Sequence, residues 1–448
     1  MRTGDSNARL ASIFKTSEST FQRMLNEGRE ALLVDYVPSR LGYDHMSREE
    51  VVQRNLIIPE RLFGNPDSPI NERKAVTMCD GTYINHQKSS NYFFQRKSYS
   101  SHKYRNLLKP MLYVCCDGHI IEVSGPHAAT TSDAVIMNNT IDDEEGLIHW
   151  FYRPGDVFIL DRGFRDSKGP LEEYGYAVHM PETKHPRKTQ LTTDQANKSR
   201  CVTICRWVVE VINGRFKRDF RLLRIDHSNR ALSYMMDYFR IAAALLNDFH
   251  VLIDNNVHAN EFLNIINERI SQPNRLADLV IRNNYNRRRA HFQPMAANMP
   301  EFEQFPRFSE EQMILFALGS YQIKQARKYY GEHLQPDGEF IIELGGDVPV
   351  QEVRELDGRD LWLIRDRMQS RHTRSKTYYV YIAVEPTLSG REAVPHYYCH
   401  CNAGKRTVGC CAHVMTVIWY IGFARHEHSS ASRRARKYNR QAGALNIV

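Results

Sequence analysis

Phe158-Ile159-Leu160-Asp161-Arg162-Gly163-Phe164 is an apolar run that stops on a carboxylate followed by a glycine. Asp156 to Leu160 reads as a strand, and Asp161-Arg162-Gly163 as the turn that closes it. Upstream, Ala75 to Tyr83 is a second strand candidate and carries Cys79-Asp80-Gly81-Thr82; Leu112 to Cys116 and His119 to Ser124 flank Asp117-Gly118, a two-residue hairpin signal. Downstream, Tyr176 to His179 is a short strand and Cys201 to Phe220 a long helix. Tyr234 to Phe249 is another helix, with Met235, Phe239, Ala242, Ala243 and Leu246 on one face. Strands first and then alternating helix and strand predict one α/β domain with a mixed sheet over residues 74–256.

The chain has 448 residues, about three times the ~150 of a single domain, so several compact units are expected. With 42% hydrophobic and 25% charged residues it can bury a sizeable core and is not a disordered chain. The longest mostly apolar stretch, Val414 to Ala424, is well short of the ~20 residues of a membrane helix, and Met1-Arg2-Thr3-Gly4-Asp5 opens no signal peptide. The net charge of +8 is mild for this length. Its placement is not: Lys184 to Arg224 holds eleven basic residues against Asp194, Glu210 and Asp219, the whole excess of the protein. Clustered positive charge points to a polyanionic partner, because nucleic acid rewards it through counterion release; a solvated helix face is the plainer alternative.

Residues 1–40 read as two helices with a tight break. Leu10, Ile13 and Phe14 share one face, Ser17 is available as an N-cap, and Phe21, Met24 and Leu25 resume the spacing. With Gln22, Arg23 and Asn26 on the open face, this has the form of a helix-turn-helix DNA-binding segment, truncated because so little chain precedes it. Residues 41–73 form a connector and 257–339 a linker and helical spacer. A last unit over 340–427 has strand-like Phe340-Ile341-Ile342 and Tyr378 to Val384 before a Cys/His cluster. Residues 428–448 form a basic tail around Arg433 to Arg440.

Asp80, Asp161 and Glu210 are each embedded in apolar neighbours, where a lone carboxylate is costly to desolvate and normally has a counter-charge or a metal. Three carboxylates can hold two Mg²⁺ or Mn²⁺ ions, which clamp the attacking and leaving oxygens of an in-line phosphoryl displacement. Alternatively, Asp161 begins a turn, Asp80 precedes a glycine turn, and Glu210 pairs with Arg206 or Arg215 on its own helix.

Four blocks occur in order: Asp80-Gly81-Thr82-Tyr83; Gly125-Pro126-His127 running to Ser132-Asp133; Leu160-Asp161-Arg162-Gly163-Phe164; and Val208-Val209-Glu210 with Arg215-Phe216-Lys217-Arg218. Together they resemble the DDE transposase superfamily, closest to the PIF/Harbinger type, over about residues 74–250. The resemblance implies an RNase H-like core with Asp80, Asp161 and Glu210 as catalytic metal ligands and Asp133 outside that set, as a helix cap. It implies that water activated by the metals attacks a phosphodiester at the element end, and that the released 3′-hydroxyl attacks target DNA. Lys198, Arg200, Arg215, Lys217, Arg218 and Arg221 would then lie where DNA phosphates pass.

Nine cysteines are an odd number, and Cys399, Cys401, Cys410 and Cys411 crowd together near the C-terminus, which favours a metal site over a disulfide framework. Cys79, Cys115, Cys116, Cys201 and Cys205 sit in apolar runs as reduced core residues, as expected in nucleus or cytosol. Cys399-His400-Cys401, nine intervening residues and Cys411-Ala412-His413 give a C-x-C-x9-C-x-H spacing suited to one structural Zn²⁺, with Gly404 and Gly409 letting the chain fold back. Cys410 is a spare thiol that could exchange with Cys411. This spacing resembles the SWIM zinc finger, a ββα unit whose family binds DNA or protein; Lys405 and Arg406 in the loop favour DNA.

The expectation is therefore a nuclear, transposon-derived DDE endonuclease that cleaves DNA and transfers strands. DNA is its partner, a second copy or an accessory DNA-binding protein joins it, and no membrane is involved. The alternative is a catalytically inactive descendant that binds DNA or protein.

Overall fold

The computed structural model describes residues 1–288, 291–295, 299–333, 340–371, 373 and 375–426; the basic tail expected at 428–448 lies outside them. The chain divides into two compact units, Met1–Pro181 with Cys201–Ala259, and Glu182–Arg200 with Asn260–Val448. Neither unit is contiguous. The division at Ala259/Asn260 falls beside the boundary expected at 256/257, but there is none at 339/340, and Glu182–Arg200 joins the second unit, where Asn197 donates to the Ile270 carbonyl at 2.9 Å and to Thr407 Oγ1 at 2.8 Å.

The first unit is built on a mixed sheet. Its strands are β1 (Val76–Gly81), β2 (Ile84–His86), β3 (Tyr99–Ser100), β4 (Arg105–Cys115), β5 (Ile120–Ala128), β6 (Val157–Ile159) and β7 (Ala177–His179). The path runs β2-β4-β1-β6-β7, with β3 and β5 also paired to β4. β4 lies antiparallel to β1, while β1 and β6 are parallel, with Met78 opposite Ile159. The apolar runs of β1 and β6 are central because both faces are covered: Val76, Met78, Phe158 and Ile159 are fully buried. Gly118, at a φ of 88°, makes the β4–β5 hairpin turn that Asp117-Gly118 predicted. Against the sheet pack Ile136 and Met137 of the Asp133–Ile141 helix, together with Phe151, Tyr152 and Tyr176.

At the N-terminus, helices span Asn7–Ile13 and Glu18–Ala31, and the Ser17 side chain caps the second by accepting from the Thr20 amide at 3.1 Å. Their apolar face is the expected one only in part: Leu10 and Leu25 are half-buried. Ala11 and Phe21 are buried, whereas Ile13, Phe14 and Met24 are exposed.

In the second unit an antiparallel sheet runs β12-β11-β10-β9-β8: β8 Gln293–Pro294, β9 Phe340–Leu344, β10 Trp362–Gln369, β11 Thr377–Val384 and β12 His396–Cys399. Alternation along β10 and β11 splits its core in two. Ile364 and Ile382 face a cluster with Phe316, Ile323 and Ile418, and Leu363 and Tyr381 face one with Leu276, Val280 and Tyr285. Residues expected as a spacer thus supply both covers. Among the described residues, no helix is long and apolar enough to cross a membrane.

Candidate functional site

β1 and β6 run in parallel, so their C-terminal ends bring Asp80 and Asp161 to the same edge of the sheet. Asp161 follows β6 and caps a short 3-10 turn, accepting from the Gly163 amide at 2.6 Å. Glu210 lies on the Thr193–Asp219 helix and, contrary to the apolar surroundings expected for it, its side chain is exposed, 64% accessible, and paired with Arg206. Asn213 donates Nδ2 to Asp80 Oδ2 at 3.0 Å. Arg206 reaches Glu210 Oε1 at 3.2 Å and Asp161 Oδ2 at 3.7 Å.

Asp80 carries the strongest perturbation here. Burial pushes its pKa up to about 7; Arg206 opposes this, and Asp161, Asp133 and Glu210 add to it. A positive ion there would relieve both desolvation and repulsion, and the donor set is all oxygen, as hard divalent cations require. Asn213 Oδ1, beside Asp80, is buried without a hydrogen-bond partner. These residues fit a Mg²⁺ or Mn²⁺ site in chemistry. In geometry, the structure gathers the three acids around Arg206, and their oxygens do not converge on one point as the Cys/His ligands described below do.

Asp133 is not the helix cap. Ser132 caps that helix, accepting from the Val135 amide at 3.2 Å, and Asp133 points to the acids, paired with Lys109 Nζ at 2.6 Å. It fills the space between two motif glycines: a Cβ on Gly81 would lie 2.5 Å from Asp133 Oδ1, and one on Gly163 would lie 2.8 Å from Oδ2. The Asp-Gly and Asp-Arg-Gly blocks therefore need glycine for close approach. Asn213 and Lys109 were missed in the sequence reading. The available signal was helical spacing, since Asn213 is three residues after Glu210 and shares its face.

The basic residues separate. Lys217, Arg218 and Arg221 are exposed beyond Glu210, with Arg215 partly so. Partial burial and then the Lys103 charge lower the Lys217 pKa, while Asp80 acts the other way. Arg218 is paired with Asp219 at 2.8 Å. Lys198 is exposed and paired with Asp194 at 3.0 Å. Arg200 does not fit a DNA-contacting role: it is buried, and its Nη2 donates to the Ala317 and Leu318 carbonyls at 3.1 and 2.6 Å. On the N-terminal helices, Gln22 is half-buried and bonded to Asn7 and Asn26, so the face expected to be open is partly used internally; Arg23 is exposed beside Glu27.

In the second unit Cys399 ends β12 and Cys401 follows it, while Cys411 and His413 open the Ala412–Gly422 helix. Their ligand atoms all lie within 4.8 Å of one another, and all four residues are buried. His413 Nδ1 is 3.6 Å from Cys399 Sγ and 3.9 Å from Cys411 Sγ. A tetrahedron with ~2.3 Å metal–sulfur bonds has edges of roughly 3.8 Å, so the set fits zinc. The Cys399 and Cys401 thiols, bonded to Cys411, hold its pKa well below the usual range, which favours a thiolate there. The other ring nitrogen, Nε2, meets Tyr329 Oη at 3.0 Å and leaves Nδ1 facing the sulfurs. Gln190 donates to the Cys399 and Cys401 carbonyls at 2.7 and 2.6 Å. Cys410 is fully buried in the core and outside the ligand set.

No curated protein matches the chain, and no solved structure does. Residues 79–247, the span that holds Asp80, Asp133, Asp161 and Glu210, match the family described as DDE superfamily endonuclease.

Proposed function

We propose that this protein is a nuclear DNA endonuclease of the DDE transposase type, closest to the PIF/Harbinger group, with an RNase H-like core. Asp80, Asp161 and Glu210 are its metal ligands. The observation that carries the reading is one helix tying both strand-end acids together, Arg206 to Asp161 and Asn213 to Asp80, with Glu210 between them in sequence. When bound, a pair of Mg²⁺ or Mn²⁺ ions would polarise the scissile phosphate and its attacking oxygen. Asp80, whose charged form burial disfavours, would be held as a carboxylate by such a cation. Lys109 neutralises Asp133 so that this fourth acid adds no net charge. Lys217 and Arg215 face the phosphates on either side, and strand transfer uses the same centre. The N-terminal helices act as a helix-turn-helix, and the Cys399, Cys401, Cys411 and His413 set holds zinc in a SWIM-type finger that contacts DNA through Lys405 and Arg406. A second copy or an accessory DNA-binding protein completes the active assembly.

The test is metal-dependent nicking of DNA bearing the element's terminal repeats, wild type against Asp161→Ala. Loss of cleavage in the variant is expected, and equal cleavage by both defeats the reading. One feature favours a second reading, a non-catalytic DNA-binding descendant: the Arg206 guanidinium already supplies counter-charge to Asp161 and Glu210. Calorimetric Mn²⁺ binding that emerges only in Arg206→Ala selects this second reading.

A further inference from the structure

Between β2 and β4 the chain leaves the sheet in a segment that contains no acid: no Asp or Glu occurs from Gly81 to Cys116. It carries Lys88, Arg96, Lys97, Lys103 and Arg105, interleaved with aromatics. Those rings are turned outward, with Tyr92 68%, Phe93 76% and Tyr104 79% exposed. Burial therefore does not account for them. The Tyr92 and Phe93 rings meet edge to face, centroids 5.7 Å apart, at the start of the Tyr92–Ser98 helix. Tyr104 sits in the left-handed region at a φ of 55°, a conformation that non-glycine residues rarely adopt.

The segment is anchored. β3 pairs with β4, Gln95 Nε2 donates to Asn106 Oδ1 at 2.6 Å, and Phe94 packs beneath on His86. It also reaches the acids. Lys103 Nζ and Lys109 Nζ lie 5.7 and 5.9 Å from the centre of the Tyr83 ring, and Asp133, Asp80 and Asp161, after burial, raise the Tyr83 pKa.

We propose that this projection is a stacking platform for unpaired DNA bases next to the acid cluster. Tyr92, Phe93 and Tyr104 offer ring faces, and Arg96, Lys97 and Lys103 hold the backbone phosphates. Exposed rings within an acid-free basic segment match the physics of single-strand binding, in which every base has a face to stack and the phosphates need charge. The substrate is thus a DNA end opened beside the cleavage point. The proposal rests on the nuclease reading and deepens it.

The test uses the full chain without divalent metal, so that binding is read apart from cleavage. Fluorescence anisotropy compares a blunt duplex with the same duplex bearing unpaired thymines at one end. Wild type binds the frayed end more tightly, and Tyr104→Ala or Phe93→Ala cuts that preference on the order of tenfold. Tyr104→Phe keeps the preference, duplex affinity is unchanged in all three, and thermal stability is unaffected because the rings are exposed. An alanine variant with wild-type preference, or a wild type that shows none, overturns the proposal; the second result assigns the rings to a protein partner. If Asp161→Ala still cleaves while the frayed-end preference holds, the nuclease reading fails and the platform stands.

Discussion

Replacing Gly404 by alanine would place a methyl group 1.9 Å from the Cys399 carbonyl oxygen, 2.6 Å from its carbonyl carbon and 2.8 Å from its Cβ. Ordinary carbon contacts lie at about 3.5–4.0 Å, so the backbone itself must move. That backbone is pinned. The Cys399 amide donates to the Gly404 carbonyl at 3.1 Å, the Gly404 amide donates to the Cys401 carbonyl at 3.0 Å, and Gln190 holds the Cys399 carbonyl at 2.7 Å. Overpacking costs about 1–3 kcal/mol, and losing one of these hydrogen bonds adds about 1 kcal/mol. A net loss of ~3 kcal/mol from the second unit is expected. Zinc geometry tolerates displacements of only ~0.2 Å, so Cys399 Sγ leaves its position and zinc affinity falls roughly 100-fold. Competition with a chromophoric chelator reads the affinity, and thermal unfolding reads the stability. Gly346→Ala is the control, since its added Cβ meets nothing within 4 Å. If Gly404→Ala matches Gly346→Ala in both measurements, the steric reasoning is refuted.

Tyr329→Phe removes the oxygen that meets His413 Nε2 at 3.0 Å but keeps the ring; zinc affinity should fall about tenfold, and an unchanged chelator titration would contradict this. Asp156→Asn strips the charge opposite the buried Arg48, whose Nε and Nη2 meet Asp156 at 2.8 and 2.5 Å. About 3–5 kcal/mol of stability should go in urea unfolding, and a loss below 1 kcal/mol would show the pair to be dispensable. Burial, then Arg54 and His45, push the His119 pKa down to about 3 from 6.5. The unfolded chain therefore binds the extra proton between those values, so this stability is complete above about pH 6.5 and is lost on acidification at up to ~1.4 kcal/mol per unit. The urea midpoint of wild type should be lower at about pH 5 than at about pH 7, and the two midpoints should converge in His119→Gln; an equal drop in the two proteins would exclude His119 as the source.

What could be read from the sequence was local. Asp80 and Asp161 stood out because an apolar strand that stops on a carboxylate is visible in a single run of letters. The Cys/His cluster was visible because its spacing is short. Asp133 was misread because Ser132 and Asp133 are both plausible caps, and only the folded chain separates them, through the Val135 amide on Ser132 and Lys109 on Asp133. The N-terminal face was misjudged for a similar reason: spacing groups Ile13 with Phe14, yet periodicity does not say whether a neighbour will cover them. Leu276, Val280 and Tyr285 looked like spacer residues because their partners, Leu363 and Tyr381, come about 80 residues or more later. The exposed rings of 92–104 escaped because aromatics in a sequence suggest core, and only solvent exposure distinguishes a platform from a core.

Gln190 waits for its partners. The Cys399 carbonyl it bonds lies 209 residues further along the chain. At ~5–20 residues per second of synthesis, roughly 10–40 s pass before that acceptor exists. During this interval Glu182–Arg200 gains its partners piecemeal, Ile270 for Asn197 and then Ala317 and Leu318 for Arg200, while the strands that carry Asp80 and Asp161 are already complete. A fragment cut after Ala259 would keep this segment in that unfinished state, and one begun at Asn260 would lack the side chain that braces the two cysteine carbonyls. The Cys/His cluster is thus assembled from both halves of the message.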